Sequence, residues 1–288
     1  MIKKITPFLL LVVAIIGIGY ADGEPPYVVI NIPENKKDTA QKYLTFDAEV
    51  NGKKVNALFD TGSDSAARIL KDVATRIGIP SEGGKFDVKI GGIVVKDVPI
   101  RCVDKFNTSY PKDIIFGYGF TNKLYAIVDY PSNRALFVPC SNDTSYTDAD
   151  KIANEKFGEL KDDMVVPLVC PDGHILVETT VNGEDSIYFA IDTGWLGFNI
   201  LTSTAVEKLG VGDKFVKLDL TIGGHDFKKV IFKNTRDPGL ERSMARYKKG
   251  GLEFGGIIGV PDFMSKYRIG IDYQEKKLHI GSTKKDKD

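Results

Sequence analysis

EVNGKKVNALFDTG (residues 49–62) and TVNGEDSIYFAIDTG (residues 180–194) are two versions of one pattern. Each starts on Asn-Gly, a turn dipeptide, runs through apolar β-forming residues and stops on Asp-Thr-Gly. The oddity is the acid. A carboxylate at the inner end of an apolar strand is costly to bury unless another group shares or neutralises its charge. One Asp-Thr-Gly alone is an ordinary turn. Two of them, Asp60 and Asp192, each closing the same strand pattern, point to a partnership.

The repeat extends beyond these stretches. VKIGGIVVKDVPI (88–100) matches LTIGGHDFKKVIF (220–232), and DIIFGYGFTNKLYAIVDY (113–130) matches GGIIGVPDFMSKYRIGIDY (255–273), in the same order. The offset is 132 residues at Asp60/Asp192 and again at Gly91/Gly223, then 143 at Asp129/Asp272. The second copy therefore carries extra residues near TRDPGLERSMARYKKGG (235–251). Duplication into two lobes of about 100 residues follows, a normal size for a small domain. The expected organisation is an N-terminal segment (22–42), lobe one (43–139), a polar linker (140–173), lobe two (174–281) and a solvated tail (282–288). Each lobe reads as mostly strands with one helix after the Asp-Thr-Gly. In lobe one, Ile69, Val73 and Ile77 recur every four residues before Gly78 and Pro80. In lobe two, STAVEKLG (203–210) ends on Gly210, and a further short helix is expected in the linker over 149–160.

Composition places the chain among globular proteins. Of 288 residues, 42% are hydrophobic and 27% charged, and 39 Lys and Arg balance 39 Asp and Glu. A balanced charge gives no field for nucleic acid or an anionic membrane. MIKKITPFLLLVVAIIGIGYADG (1–23) has the basic start, apolar run and small residues of a signal peptide over 1–21, which implies export to the periplasm or medium; a retained membrane tether is the weaker alternative. The polar stretch that follows leaves a propeptide within 22–42 open. Cys102, Cys140 and Cys170 allow one disulfide, or none if they are small buried side chains. His174, His225 and His279 form no metal motif. NTS (107–109) and NDT (142–144) are glycan acceptors only in a eukaryotic host.

Two copies of apolar-apolar-Asp-Thr-Gly, each followed by Ile-Ile, resemble the aspartic proteases, and the lobe length resembles the retropepsin-like branch. The likeness covers 43–138 and 174–281. It implies two homologous β-barrel lobes about a pseudo-two-fold axis, with both halves supplied by one chain acting as a monomer. It further implies an endopeptidase that activates water with Asp60 and Asp192, on a peptide or protein substrate and with no metal or cofactor. Thr61 and Thr193 would bond across the lobes, Gly62 and Gly194 would let backbone N–H groups approach the carboxylates, and Ser63 would donate to Asp60. Ile114–Ile115 and Ile257–Ile258 would brace the loops from beneath.

Three features depart from that pattern. Trp195 follows the second Asp-Thr-Gly where a small or hydroxyl residue is usual; lining a pocket and packing the core weigh equally for it. Phe116 stands where Gly is expected after Ile-Ile. The flap that should cover the cleft is assigned to EGG (82–84), to the IGG turns, or to nothing, and the insertion at 234–251 reads as a surface loop more readily than as a lid. The rival reading is a protease fold that binds peptide without cutting it.

Overall fold

The computed structural model describes residues 26–33, 42–63, 66–106, 112–183, 185–235 and 238–283. The leader, its cleavage point, the NTS acceptor and the last tail residues lie outside these, as does most of the 22–42 segment. After β1 (Val28–Asn31), lobe one contains β2 (Thr45–Val50), β3 (Lys53–Phe59), β4 (Ala67–Leu70), α1 (Lys71–Ile77), β5 (Gly84–Ile90), β6 (Ile93–Val103) and β7 (Ile114–Phe116). Next come α2 (Tyr118–Thr121), β8 (Leu124–Asp129), β9 (Arg134–Pro139), α3 (Tyr146–Phe157) and β10 (Leu160–Pro167). Lobe two has β11 (Leu176–Val181), β12 (Asp185–Ile191), β13 (Asn199–Leu201), α4 (Ser203–Lys208), β14 (Phe215–Ile222) and β15 (His225–Asn234). The chain ends with α5 (Pro238–Lys249), β16 (Phe254–Ile258), β17 (Arg268–Asp272) and β18 (Lys277–Thr283).

The duplication is visible strand for strand. One closed barrel runs β2-β3-β7-β4-β6-β5 and the other β11-β12-β16-β13-β15-β14. Closure leaves neither six-stranded sheet an open edge. Asn51 and Gly52, like Asn182 and Gly183, adopt positive φ, as a two-residue hairpin turn requires. The alternating apolar residues of these strands fill each barrel: Phe46, Phe59 and Ile69 in the first, Phe189, Phe232 and Ile187 in the second, all essentially water-free. Each such side chain contributes about 1.5–3 kcal/mol by leaving water.

A third sheet, β1-β9-β8-β17-β18-β10, joins the lobes. The closing strand of each copy leaves its own barrel, and β8 pairs with β17 in antiparallel register, Asp129 opposite Arg268. The stretch between the lobes is no free linker: α3 packs on this sheet and β10 forms its edge along β18. Helix α3 runs over 146–157 instead of 149–160, because Ser145 caps it. Ser145 Oγ accepts from Asp148 N while Asp148 Oδ2 accepts from Ser145 N, a closed capping box.

Two other sequence expectations need revision. Ile69 belongs to β4, pairing with Ile114 and Cys102, so the first helix starts only at Lys71 and ends at left-handed Gly78. The 234–251 insertion is not a loop but contains α5, whose Leu240 and Tyr247 are buried against Leu176, Phe254 and Ile257. The three cysteines are free thiols. No helix among the described residues is long and apolar enough to cross a membrane.

Candidate active site

Asp60 and Asp192 sit where β3 and β12 run out at the lobe interface. Parallel pairing to β7 and β16 fixes each loop from below: Asp60 N donates to Phe116 O at 3.0 Å and Asp192 N to Ile258 O at 3.1 Å. Phe116 therefore leaves the brace intact. Its ring stacks on Phe120, with centroids 4.1 Å apart, in space that a Gly would leave empty. Ser63 N and Trp195 N turn back to Asp60 O and Asp192 O, each at 3.2 Å.

The two loops are tied by a reciprocal exchange. Thr61 N donates to Thr193 Oγ1 at 3.1 Å and Thr193 N to Thr61 Oγ1 at 3.0 Å. Each hydroxyl then donates onward across the interface, Thr61 Oγ1 to Ile191 O at 2.7 Å and Thr193 Oγ1 to Phe59 O at 3.1 Å. All four bonds are buried, where an unmet partner would be expensive. They hold the acids face to face.

How close the acids lie is set by the glycines. A Cβ on Gly62 would fall inside the carboxylate of Asp192, and one on Gly194 would lie 2.5 Å from Asp60 Cγ. Neither glycine has positive φ, so it is space for the opposite acid, not backbone conformation, that forbids a side chain here. Their N–H groups also serve the acids: Gly62 N donates to Asp60 Oδ1 at 3.0 Å and Gly194 N to Asp192 Oδ1 at 2.8 Å.

The two carboxyls face one another across the glycines. Burial raises both above the ordinary carboxylate range, but unequally. Asp192 lies well above it, from burial first and then from the negative charge of Asp60. Asp60 is raised by burial and drawn back by the charge of Arg68, the side chain of Asp192, the N–H of Gly62 and the charge of Lys112. Two facing carboxyls raised in this way favour holding one proton between them over ionising together.

Arg68 and Lys112 are cations that the sequence reading missed. Arg68 directly precedes the stretch from Ile69 that reads as a helix; as the second residue of β4 its side chain reaches the acid loop. Nη2 donates to Ser63 Oγ at 3.0 Å and lies 4.0 Å from Asp60 Oδ2. Ser63 thus accepts from Arg68, in place of the expected donation to Asp60. Lys112 is nearly buried, and burial pulls its ammonium down to about 8 against the opposing charge of Asp60.

Trp195 turns into lobe two. Its ring packs against Gly259 and the Ile200, Tyr247 and Ile257 cluster, and Nε1 donates to Phe198 O at 2.8 Å. Beyond it, Phe198 and Phe215 are 48% and 45% exposed and meet edge to face. Neither IGG turn covers the acids. Val88 pairs with Val50 and Leu220 with Val181, at the barrel ends away from Asp60 and Asp192. EGG lies at the acid end, since Gly84 pairs with Ile100 and Ile100 with Ala67.

His174 is a second unforeseen contact. Nε2 lies 3.2 Å from Gly62 O and Nδ1 2.8 Å from the Tyr247 hydroxyl. A carbonyl only accepts, so Nε2 carries the hydrogen. Burial raises the Tyr247 phenol to about 12, so it keeps its proton at neutral pH. Helix α5 of lobe two thus reaches the acid loop of lobe one. Tyr247→Phe is expected to cost about 1 kcal/mol of stability in urea unfolding.

Two closed six-stranded barrels, each ending a strand on Asp-Thr-Gly at their interface, make a two-lobe architecture joined by the shared third sheet. Among solved structures the chain is similar in fold to the aspartic proteinase from Irpex lacteus, at 13% identity and a TM-score of 0.49, with 83% of this chain and 94% of that one covered. No family model matches the chain, and no curated protein does.

Proposed function

We propose that the chain is an aspartic endopeptidase in which Asp60 and Asp192 share one proton and activate water against a peptide bond. The observation that carries this reading is the facing of two carboxyls, Asp192 buried and Asp60 partly so, one from each barrel, so close that each loop admits only glycine opposite the other acid. Asp60 takes a proton from a water lying between the carboxyls while Asp192 gives its proton to the carbonyl oxygen. A tetrahedral diol forms. Asp60 then gives its proton to the amide nitrogen while Asp192 takes one back from a diol hydroxyl, the C–N bond breaks to leave an acid and an amine, and the pair returns to its one-proton state.

Both acids come from one chain, so a monomer is sufficient. Thr61, Gly62, Thr193 and Gly194 hold the geometry and Trp195 shapes the lobe-two side. The basic and then apolar N-terminus supports export. The substrate is a peptide or protein, and the mechanism asks for no cofactor.

Cleavage is expected to follow a bell in pH. It falls at acid pH as Asp60 takes a second proton, and at alkaline pH as Asp192 loses its own. Incubating the chain lacking residues 1–21 with a mixed peptide pool at about pH 3–7, with products read by mass spectrometry, tests this. New termini across part of that range support the reading, and an uncut pool overturns it.

A further inference from the structure

We propose that Arg68 is a positioning residue that assigns the single proton of the acid pair, its guanidinium keeping Asp60 as the carboxylate and leaving the hydrogen on Asp192. The inference rests on the reading of that pair as the reactive centre. It starts from an asymmetry: the loops are near copies, yet Asp60 has a cation beside it. Arg68 stands on β4 between Arg101 of β6 and Ile115 of β7. Ser63, itself buried, tethers Nη2 at 3.0 Å and so fixes it 4.0 Å from Asp60 Oδ2. Nε is buried with no hydrogen-bond partner among the described residues. Leaving that N–H unmet costs free energy that a surface-directed arginine would avoid. The side chain is thus held inward at a local expense, as expected where charge placement is what matters.

At 4.0 Å an opposite charge strongly favours the ionised acid. In lobe two, Trp195 follows Gly194 where Ser63 follows Gly62, so there is no hydroxyl to tether a cation there. Among the other described titratable groups around the pair, only Lys112 adds to this bias. Its ammonium, lowered to about 8 by burial, is still charged below that pH, but its pull on Asp60 is weaker than that of Arg68. Tyr273 near Asp60, and Tyr130 and Tyr247 near Asp192, are buried phenols held neutral. His174 addresses the backbone of Gly62 and the hydroxyl of Tyr247.

Removing the cation makes protons bind more tightly at both steps, so both limbs of the pH–kcat/KM profile move to higher pH. The test follows the side-chain carboxyl carbons of Asp60 and Asp192 by NMR across the pH range, in parent, R68Q, R68K and S63A proteins. R68Q is expected to move the Asp60 midpoint up by about one pH unit, and R68K to restore most of it. S63A, which keeps the charge but loses its tether, should shift the midpoint less in the same direction. Its milder change lets it decide the matter if R68Q does not fold. Unmoved midpoints in R68Q, or in S63A where R68Q is unfolded, overturn the assignment. The titration needs no turnover, so an inactive parent with moved midpoints would sink the peptidase reading alone, and an active parent with unmoved midpoints this one alone.

Discussion

Asp192→Asn is expected to lower peptide cleavage by at least about 10³-fold while leaving the protein at pH 7 no less stable than the parent. The loss follows from the proton. Asn offers an N–H to Asp60, as the protonated acid does, and its amide oxygen still accepts from Gly194 N, so the 2.8 Å bond survives. What it cannot do is give its hydrogen to a substrate carbonyl and take it back. The stability half follows from linkage. Burial raises the Asp192 carboxyl well above its usual range in the folded chain. A group raised in this way stabilises the fold fully only below its unfolded value, about 3.9, and that contribution is lost as pH rises through the folded value. Asn has no such loss. Thermal unfolding at pH 7 should give a midpoint equal to or above the parent's, and a plot of stability against pH should be flatter on the alkaline side. Retained turnover in the variant would remove Asp192 from the chemistry. Peptide binding with no cleavage in either protein would favour the binding-module alternative.

The chain order explains why some of this was legible in advance and some was not. Duplication is a one-dimensional signal: two apolar runs ending on Asp-Thr-Gly at one offset are enough to place two strands, two loops and two facing acids. The threonine exchange was implied by the family resemblance rather than by the repeat itself; in the structure each hydroxyl meets the equivalent backbone of the other copy. Arg68 was hidden because ARIL also fits a helix of period four, and only pairing to β6 and β7 makes it a strand. His174 and Tyr247 are 73 residues apart and exist in one copy only, so no internal comparison brings them together. The shared sheet was equally invisible. LYAIVD and RIGID read as the last strand of each lobe, and nothing local says that they leave their barrels to pair with each other. Pattern gives face and period; which edge meets which is decided by the packing of whole lobes.

That shared sheet makes Arg268→Met the variant with the largest expected effect on stability, a loss of about 3–5 kcal/mol in chemical unfolding. Arg268 is the largest fully buried side chain, directly across the β8–β17 seam from Asp129. Nε and Nη2 donate to Asp129 Oδ2 at 3.1 and 2.8 Å, Nη1 to Asn154 Oδ1 at 2.9 Å, and Nη2 also to Gly158 O at 2.8 Å. One guanidinium thus links a strand of each copy to the end of α3. Asp129 is fully enclosed, and its other oxygen accepts from Ser132 N at 2.9 Å. Methionine approaches the length of the side chain but leaves the buried Asp129 carboxylate without its cation, while Asn154 Oδ1 and Gly158 O lie where water can replace the lost donor, so the uncompensated carboxylate dominates the cost. Adding Asp129→Asn to the Arg268→Met variant should therefore recover part of the loss, because a neutral amide is cheaper to enclose. Equal stability of the single and double variants would show that the charge is not the cause. Because the seam joins the lobes, and the lobes bring the two acids together, cleavage by the Arg268→Met variant should fall at denaturant concentrations where the parent still turns over.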